Sequence, residues 1–490
     1  MATQNPDPLR TLKHHWNVRT RREFFAQAGS GLASVALAAM MAEDGYGATT
    51  DPLAPKPPHV PPRAKNIIWC FMEGGPSQVD LFDPKPLLEK LAFEPVPASF
   101  RPETLLTAQG AKPSDGLLPA RRAFKQYGQS GLWVSDWLPN IAEHVDDMAV
   151  LRSCQSDAVN HVGGVCQMNT ADILAGRPSL GAWVTYGLGS ANRNLPTFLV
   201  MQDDKEILGS VQNYSSGFLP ATYQGTLLRK GDTPILNLKP PMGTTDAEQR
   251  GKIELLEKLN GLFGRDKEDD TELDARTRSY ELAYQMQSVA PEAIDLTKET
   301  EATKKLYGMD EPETAVYGTN CLMARRMVER GVRFVEVYSG SGSGWDAHQD
   351  VISNHNKWCR ASDKPIAGLL TDLKARGMLK DTLVVWGGEF GRTPFAQTNG
   401  NTNREKYGRD HNPWGFTMWM AGGGVKGGQT IGTTDEIGLR AVDEPHHIFD
   451  IHASILYLLG LDHLKTTYMR NGRAERPTRT GGKLIEKLWA

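Results

Sequence analysis

The sequence has 490 residues, 39% hydrophobic and 23% charged, the balance of a globular chain rather than a disordered or fibrous one. Its 55 Lys and Arg against 58 Asp and Glu leave a net charge of −3, which argues against a nucleic-acid partner, because such proteins carry a basic excess. No apolar run approaches the ~18 residues that a membrane-spanning helix needs. The length suits two or three domains, or one large α/β domain with insertions.

Taken in chain order, the first readable element is Thr20-Arg21-Arg22-Glu23-Phe24-Phe25, followed by a mildly apolar run from Ala28 to Ala42. A basic stretch, a short apolar stretch and small residues make residues 1–48 a signal peptide rather than a membrane span. The paired arginines resemble a twin-arginine signal, so the export machinery is an expected partner and the periplasm or the exterior the expected location. An amphipathic helix is the alternative, weakened by Gly29, Ser30 and Gly31. Residues 49–65 form a linker, with six prolines between Asp51 and Lys65. Five scattered cysteines (Cys70, Cys154, Cys166, Cys321 and Cys359) contain no CxxC pair and read as buried thiols; export leaves one disulfide open to them.

The fold begins at Asn66. Asn66–Met72 is a near-continuous apolar run closed by Glu73-Gly74-Gly75-Pro76, the pattern of a parallel strand buried on both faces. Met148–Leu151, Thr197–Met201, Arg333–Tyr338, Thr382–Trp386 and Gly415–Ala421 read the same way. Helical stretches such as Asp363–Arg376 and Ile448–Leu459 lie between or after them. This alternation predicts an α/β three-layer sandwich with a mainly parallel sheet over residues 66–490. The charged, periodic segments Asp246–Leu262, Asp270–Gln287 and Glu313–Arg330 predict a helical insertion at about 243–330.

In an open sheet of this kind, ligands bind beyond the carboxyl ends of the strands. Four polar clusters fall there. Glu73 with Ser77 and Asp80 follows the first strand, and a capped turn would look the same. Asp346 and His348 follow Arg333–Tyr338 across a Ser/Gly-rich loop, as metal ligands or as an ordinary capped loop. Glu389 and Arg392 follow Thr382–Trp386; the arginine would grip an oxyanion, or the two would pair with each other. His411 precedes Gly415–Ala421, where a lone loop histidine is more often structural. Taken together, carboxylates and imidazoles without thiolates suit a divalent ion such as zinc, manganese, iron or calcium.

The segments IIWCFMEGGPSQVDLFDPKP, NHVGGVCQMNTADILAGRPSLGAWVTYGLG, GWDAHQD, VVWGGEFGRTP and GRDHNPWGF resemble a bacterial family of exported proteins of unknown function, itself similar to a distant branch of the alkaline phosphatase/sulfatase superfamily. The resemblance spans about residues 66–465 and implies metal-assisted cleavage of phosphate or sulfate esters, with a small-molecule or saccharide ester as substrate. It makes Glu73, Asp346, His348, Glu389 and His411 the expected metal ligands. Ser77 and His161 become nucleophile or acid/base, and Arg392 an oxyanion clamp. The sequence departs from the superfamily where a Ser, Thr or Cys nucleophile would stand, which here reads Asn160-His161-Val162-Gly163-Gly164. It also lacks the Cys-x-Pro-x-Arg signature of formylglycine chemistry, and Phe390 stands where many relatives have histidine, so one cation is expected rather than two. The expectation is therefore an exported metal-dependent ester hydrolase. Its rival is a catalytically silent envelope protein that binds an anionic glycan or a partner. No GxGxxG follows a strand to suggest an organic redox cofactor.

Overall fold

A computed structural model describes residues 51–490 except 101–111, 113–114, 193, 204, 230–242, 244, 264–280, 282–283 and 285–291. The expected signal peptide and most of Asp270–Gln287 lie outside the described residues. Among the described residues, nine strands make the main sheet: β1 (Asn66–Met72), β2 (Met148–Gln155), β3 (Phe198–Met201), β4 (Thr226–Leu228), β5 (Phe334–Ser339), β6 (Thr382–Gly387), β7 (Phe416–Ala421), β8 (Gln429–Ile431) and β9 (His446–His447). Their order is β8-β2-β7-β6-β1-β5-β3-β4, with β9 also paired to β2. Every pairing is parallel except those of β7, which runs antiparallel to both β2 and β6.

The strands read as apolar runs because both faces of the sheet are covered. Side chains alternate along β1: Ile68, Cys70 and Met72 enter one core, whereas Ile67, Trp69 and Phe71 enter the other. The helices responsible are α1 (His161–Thr170), α2 (Leu180–Leu188), α4 (Ala315–Glu329), α5 (Val351–Ala375) and α6 (Ile448–Leu458), whereas α3 (Asp246–Phe263) adds no described residue to either core. Helices α4 and α5 supply Cys321, Leu322, Met327, Ile366 and Leu369 to the first core. Helices α1, α2 and α6 supply Val165, Met168, Leu180, Ile451 and Ile455 to the second. The molecule is thus an α/β three-layer sandwich with a mainly parallel sheet. Helix α4 is buried along most of its length and belongs to a covering layer of the sheet.

Two further differences have physical reasons. Helix α5 begins at Val351, well before the Asp363 start expected from sequence, and runs through Pro365. Asp350 caps it by accepting from the Ser353 amide, and His355 and Cys359 bury its first turns. The proline-rich stretch from residue 53 onward has neither helix nor strand, yet its backbone is anchored. The Lys56 amide donates to Leu188, His59 to Gly460, and Arg63 and Ala64 to Leu458. Among the described residues, no helix is long and apolar enough to cross a membrane.

The strand directions decide where polar loops meet. β1, β2, β5 and β6 point the same way, so Glu73, the approach to α1, the 340–348 loop and Glu389 leave from one edge. Because β7 is reversed, its entry loop rather than its exit loop lies at that edge, and His411 stands in that loop.

Candidate metal centre

His161 is the first residue of α1, whose cap Asn160 accepts from the Gly163 amide at 3.0 Å. Asp346 and His348 lie in the loop after β5. His411 lies in a two-residue ribbon, His411–Asn412 against Gly391–Arg392, that fixes its height over the sheet. One donor atom from each of His161, Asp346, His348 and His411 falls within 4.8 Å of the others. Asp346 Oδ1 is the hub: 3.2 Å from His161 Nε2, 3.0 Å from His348 Nε2 and 3.4 Å from His411 Nε2. The Nε2 atoms of His348 and His411 are themselves 3.0 Å apart.

The outward nitrogens explain why those inward atoms face one another. His161 Nδ1 lies 2.6 Å from Glu389 Oε1, His348 Nδ1 2.5 Å from Gln397 Oε1, and His411 Nδ1 2.7 Å from the Val159 carbonyl. All three partners accept, so each imidazole carries its hydrogen on Nδ1 and turns the Nε2 lone pair inward. Lone pairs and a carboxylate oxygen at these separations repel unless a cation or a proton lies among them. Asp346 Oδ1 and His161 Nε2 are buried and make no well-aligned hydrogen bond, although Arg392 Nη2 stands 2.7 Å from the former as an ion pair. Three imidazole nitrogens and one carboxylate oxygen, with their remaining donors already committed, fit a transition-metal ion.

The protonation preferences agree with this crowding. Burial opposes charge on His161, but its hydrogen bonds to Asp346 and Glu389 prevail and raise it to about 8. Burial, the Arg392 charge and the two neighbouring imidazoles push His411 down to about 4, against the pull of Asp346. Burial also opposes charge on Asp346, yet the three imidazoles and Arg392 hold its carboxyl well below the usual carboxylate range. Without a metal, a proton on His161 Nε2 would relieve its contact with Asp346 but leave the His348 and His411 Nε2 lone pairs facing each other at 3.0 Å.

The family model described as "Protein of unknown function (DUF1501)" matches residues 64–489. The chain belongs to the DUF1501 family. Among curated proteins, none is matched by the sequence. Solved structures similar to this DUF1501 chain include the alkaline phosphatase from the Antarctic bacterium TAB5, at 11% identity and a TM-score of 0.31, covering 81% of this chain and 98% of that one. The lipoteichoic acid synthase LtaP from Listeria monocytogenes has 8% identity and a TM-score of 0.33, with 84% and 76% covered. The PsFucS1 sulfatase from Pseudoalteromonas sp. has 12% identity and a TM-score of 0.33, with 90% and 72% covered.

The remaining residues singled out in the sequence take other places in this DUF1501 chain. Glu73 lies outside the four-donor group; its oxygens accept from the Leu208 amide at 2.7 Å and the Gly342 amide at 3.2 Å, tying two loops to the end of β1. Burial, reinforced by the Glu389 charge, raises its pKa to about 8 despite those two bonds. Glu389 is fully buried and accepts the Gly74 amide on both oxygens, at 3.0 and 3.2 Å, besides meeting His161. Gly74 is the residue that permits this: its φ is +118°, and a Cβ there would stand 2.6 Å from the Trp345 and Asp346 amide nitrogens.

Arg392 is buried, with Nη2 2.7 Å from Asp346 Oδ1 and its other donors spent on the Gly74, Gly75 and Arg409 carbonyls. It holds Asp346 rather than pairing with Glu389, and has little left for an oxyanion. Ser77 Oγ donates to Asp80 at 2.6 Å, and Asp80 pairs with Arg409 at 2.7 Å, all three residues being buried. The Ser77 amide donates to His355 Nε2. Gln397 and the Val159 carbonyl were not visible in the sequence as parts of the site. A backbone carbonyl carries no sequence signal, and Gln397 faces His348 through an isolated bridge between residues 397 and 408.

Proposed function

We propose that this protein is an exported, metal-dependent hydrolase of phosphate or sulfate esters. The observation that carries the reading is the convergence of three imidazole Nε2 atoms on Asp346 Oδ1, each imidazole fixed from behind. His161, Asp346, His348 and His411 would hold the ion. Three imidazoles favour zinc, manganese or iron over calcium, which prefers a shell of oxygens. When bound, such an ion supplies Lewis-acid polarisation of a phosphoryl or sulfuryl oxygen.

The chain's own residues do the rest. Glu389, Gln397 and the Val159 carbonyl hold hydrogens on the three Nδ1 atoms and so keep the inward nitrogens basic. Arg392 orients Asp346 and balances the charge of Glu389, while Glu73 stays protonated below about pH 8. With neutral imidazoles and one coordinating carboxylate, a divalent ion leaves the site net positive, which suits an anionic ester. Ser77 spends its hydroxyl on Asp80, so the reading assigns attack to water.

The same locked hydroxyl favours a second reading, a silent protein that binds anions at the envelope. Elemental analysis followed by hydrolysis of p-nitrophenyl phosphate and p-nitrophenyl sulfate separates the two. The proposal expects about one metal ion per chain and turnover that Asp346→Ala abolishes. Equal metal content in Asp346→Ala would remove the site; metal without turnover on either ester would favour the silent reading.

A further inference from the structure

We infer that Glu389 is a positioning residue rather than a metal ligand: its carboxylate holds the hydrogen of His161 on Nδ1 and thereby aims Nε2 at the ion. This rests on the metal reading above. The three imidazoles are backed by different partners: a carboxylate behind His161, an amide oxygen behind His348 and a backbone carbonyl behind His411. Only the first is charged, so it is the strongest acceptor and makes His161 the most basic of the three donors.

The surroundings hold this carboxylate in place. Glu389 leaves the end of β6 in a glycine-flanked turn, is fully buried, and is pinned by the Gly74 amide on both oxygens. Helix α1 approaches closely because Gly164 has no side chain. A Cβ there would lie 3.0 Å from Glu389 Cγ and 3.0 Å from Phe390 Cε1. The glutamate is therefore clamped between the β1 turn and the first turn of α1. One of its oxygens is engaged by His161 and both by an amide, and the donor group of four does not include it.

The test measures Zn²⁺ affinity by competition with a chromophoric chelator, and the visible ligand-field spectrum of the Co²⁺ form. It compares the full-length wild type with Glu389→Gln, Glu389→Ala and, as a ligand control, Asp346→Ala. Glu389→Gln and Glu389→Ala should weaken Zn²⁺ by about 10–100-fold, the range for loss of a partner behind a ligating histidine. At saturation both should keep the wild-type Co²⁺ spectrum. Asp346→Ala should weaken binding and change the spectrum as well. Unchanged Zn²⁺ affinity in Glu389→Gln overturns the inference, and so does a saturated spectrum altered in the manner of Asp346→Ala, which would make Glu389 a ligand. If Glu389→Gln fails to fold by circular dichroism, Gly164→Ala, which presses on Glu389 Cγ, should weaken Zn²⁺ with the spectrum retained; wild-type affinity there overturns the inference too. A wild type that takes up neither ion overturns the metal reading itself, a different failure from any result with the variants.

Discussion

His452 gives the most quantitative test of the packing. It lies on α6, fully buried against the sheet, with Nε2–H donating to the Met168 carbonyl at 2.7 Å and its ring edge-on to Trp69. Burial holds its pKa down to about 4. The unfolded chain keeps the ordinary value of ~6.5. Between those two values the unfolded state binds one proton more than the folded state, so stability falls as pH falls, and above ~6.5 nothing is lost. A change from pH 7 to pH 5 crosses about 1.5 units of that window at ~1.36 kcal/mol per unit, which assigns ~2 kcal/mol to this one histidine. His452→Gln retains an N–H donor and removes the titration. Urea unfolding followed by tryptophan fluorescence, with chelator present at both pH values, should show the wild type losing ~2 kcal/mol more than the variant. Equal losses would refute the reasoning, because they would mean that His452 is solvated in the folded state.

Other perturbations probe the network beneath the site. Arg409→Met leaves Asp80 buried without its cation and should destabilise the protein by about 3–5 kcal/mol in urea, with Asp80→Asn in the same chain recovering part of the loss; unchanged stability would contradict the pairing. Ser77→Ala removes one hydrogen bond to Asp80, so stability should drop by ~1 kcal/mol while ester hydrolysis persists. Abolished turnover with metal intact would instead make Ser77 the nucleophile. Gly74→Ala forces a side chain onto a φ of +118° and against the Asp346 amide, and soluble variant protein should carry far less metal than the wild type. Wild-type stoichiometry would contradict the account of that turn.

The sheet was legible because its strands are buried on both faces: Asn66–Met72 stands out as an apolar run, and the structure gives β1 the same bounds. The start of α5 was not, since Pro365 reads locally as a first-turn proline, whereas the capping by Asp350 and the burial of His355 depend on the folded context. At the site, Asp346, His348 and His411 could be singled out because they flank predicted strands at one edge. Whether Glu389 faces an ion or backs a histidine is set by the Gly74 amide and by His161, which come from other strands and loops. Ser77 shows the reverse case, in which an exposed-looking turn hydroxyl finds its partner three residues on, in Asp80. No pattern in the chain marks the Val159 carbonyl, whose role depends wholly on where His411 is brought.

X-ray absorption at the metal edge of the purified full-length protein tests the central claim most directly. The account predicts a first shell of three imidazole nitrogens and one carboxylate oxygen at about 2.0–2.2 Å, with the imidazole scattering reduced by one third in His161→Ala. An oxygen-only shell, or a shell unchanged by His161→Ala, would contradict it.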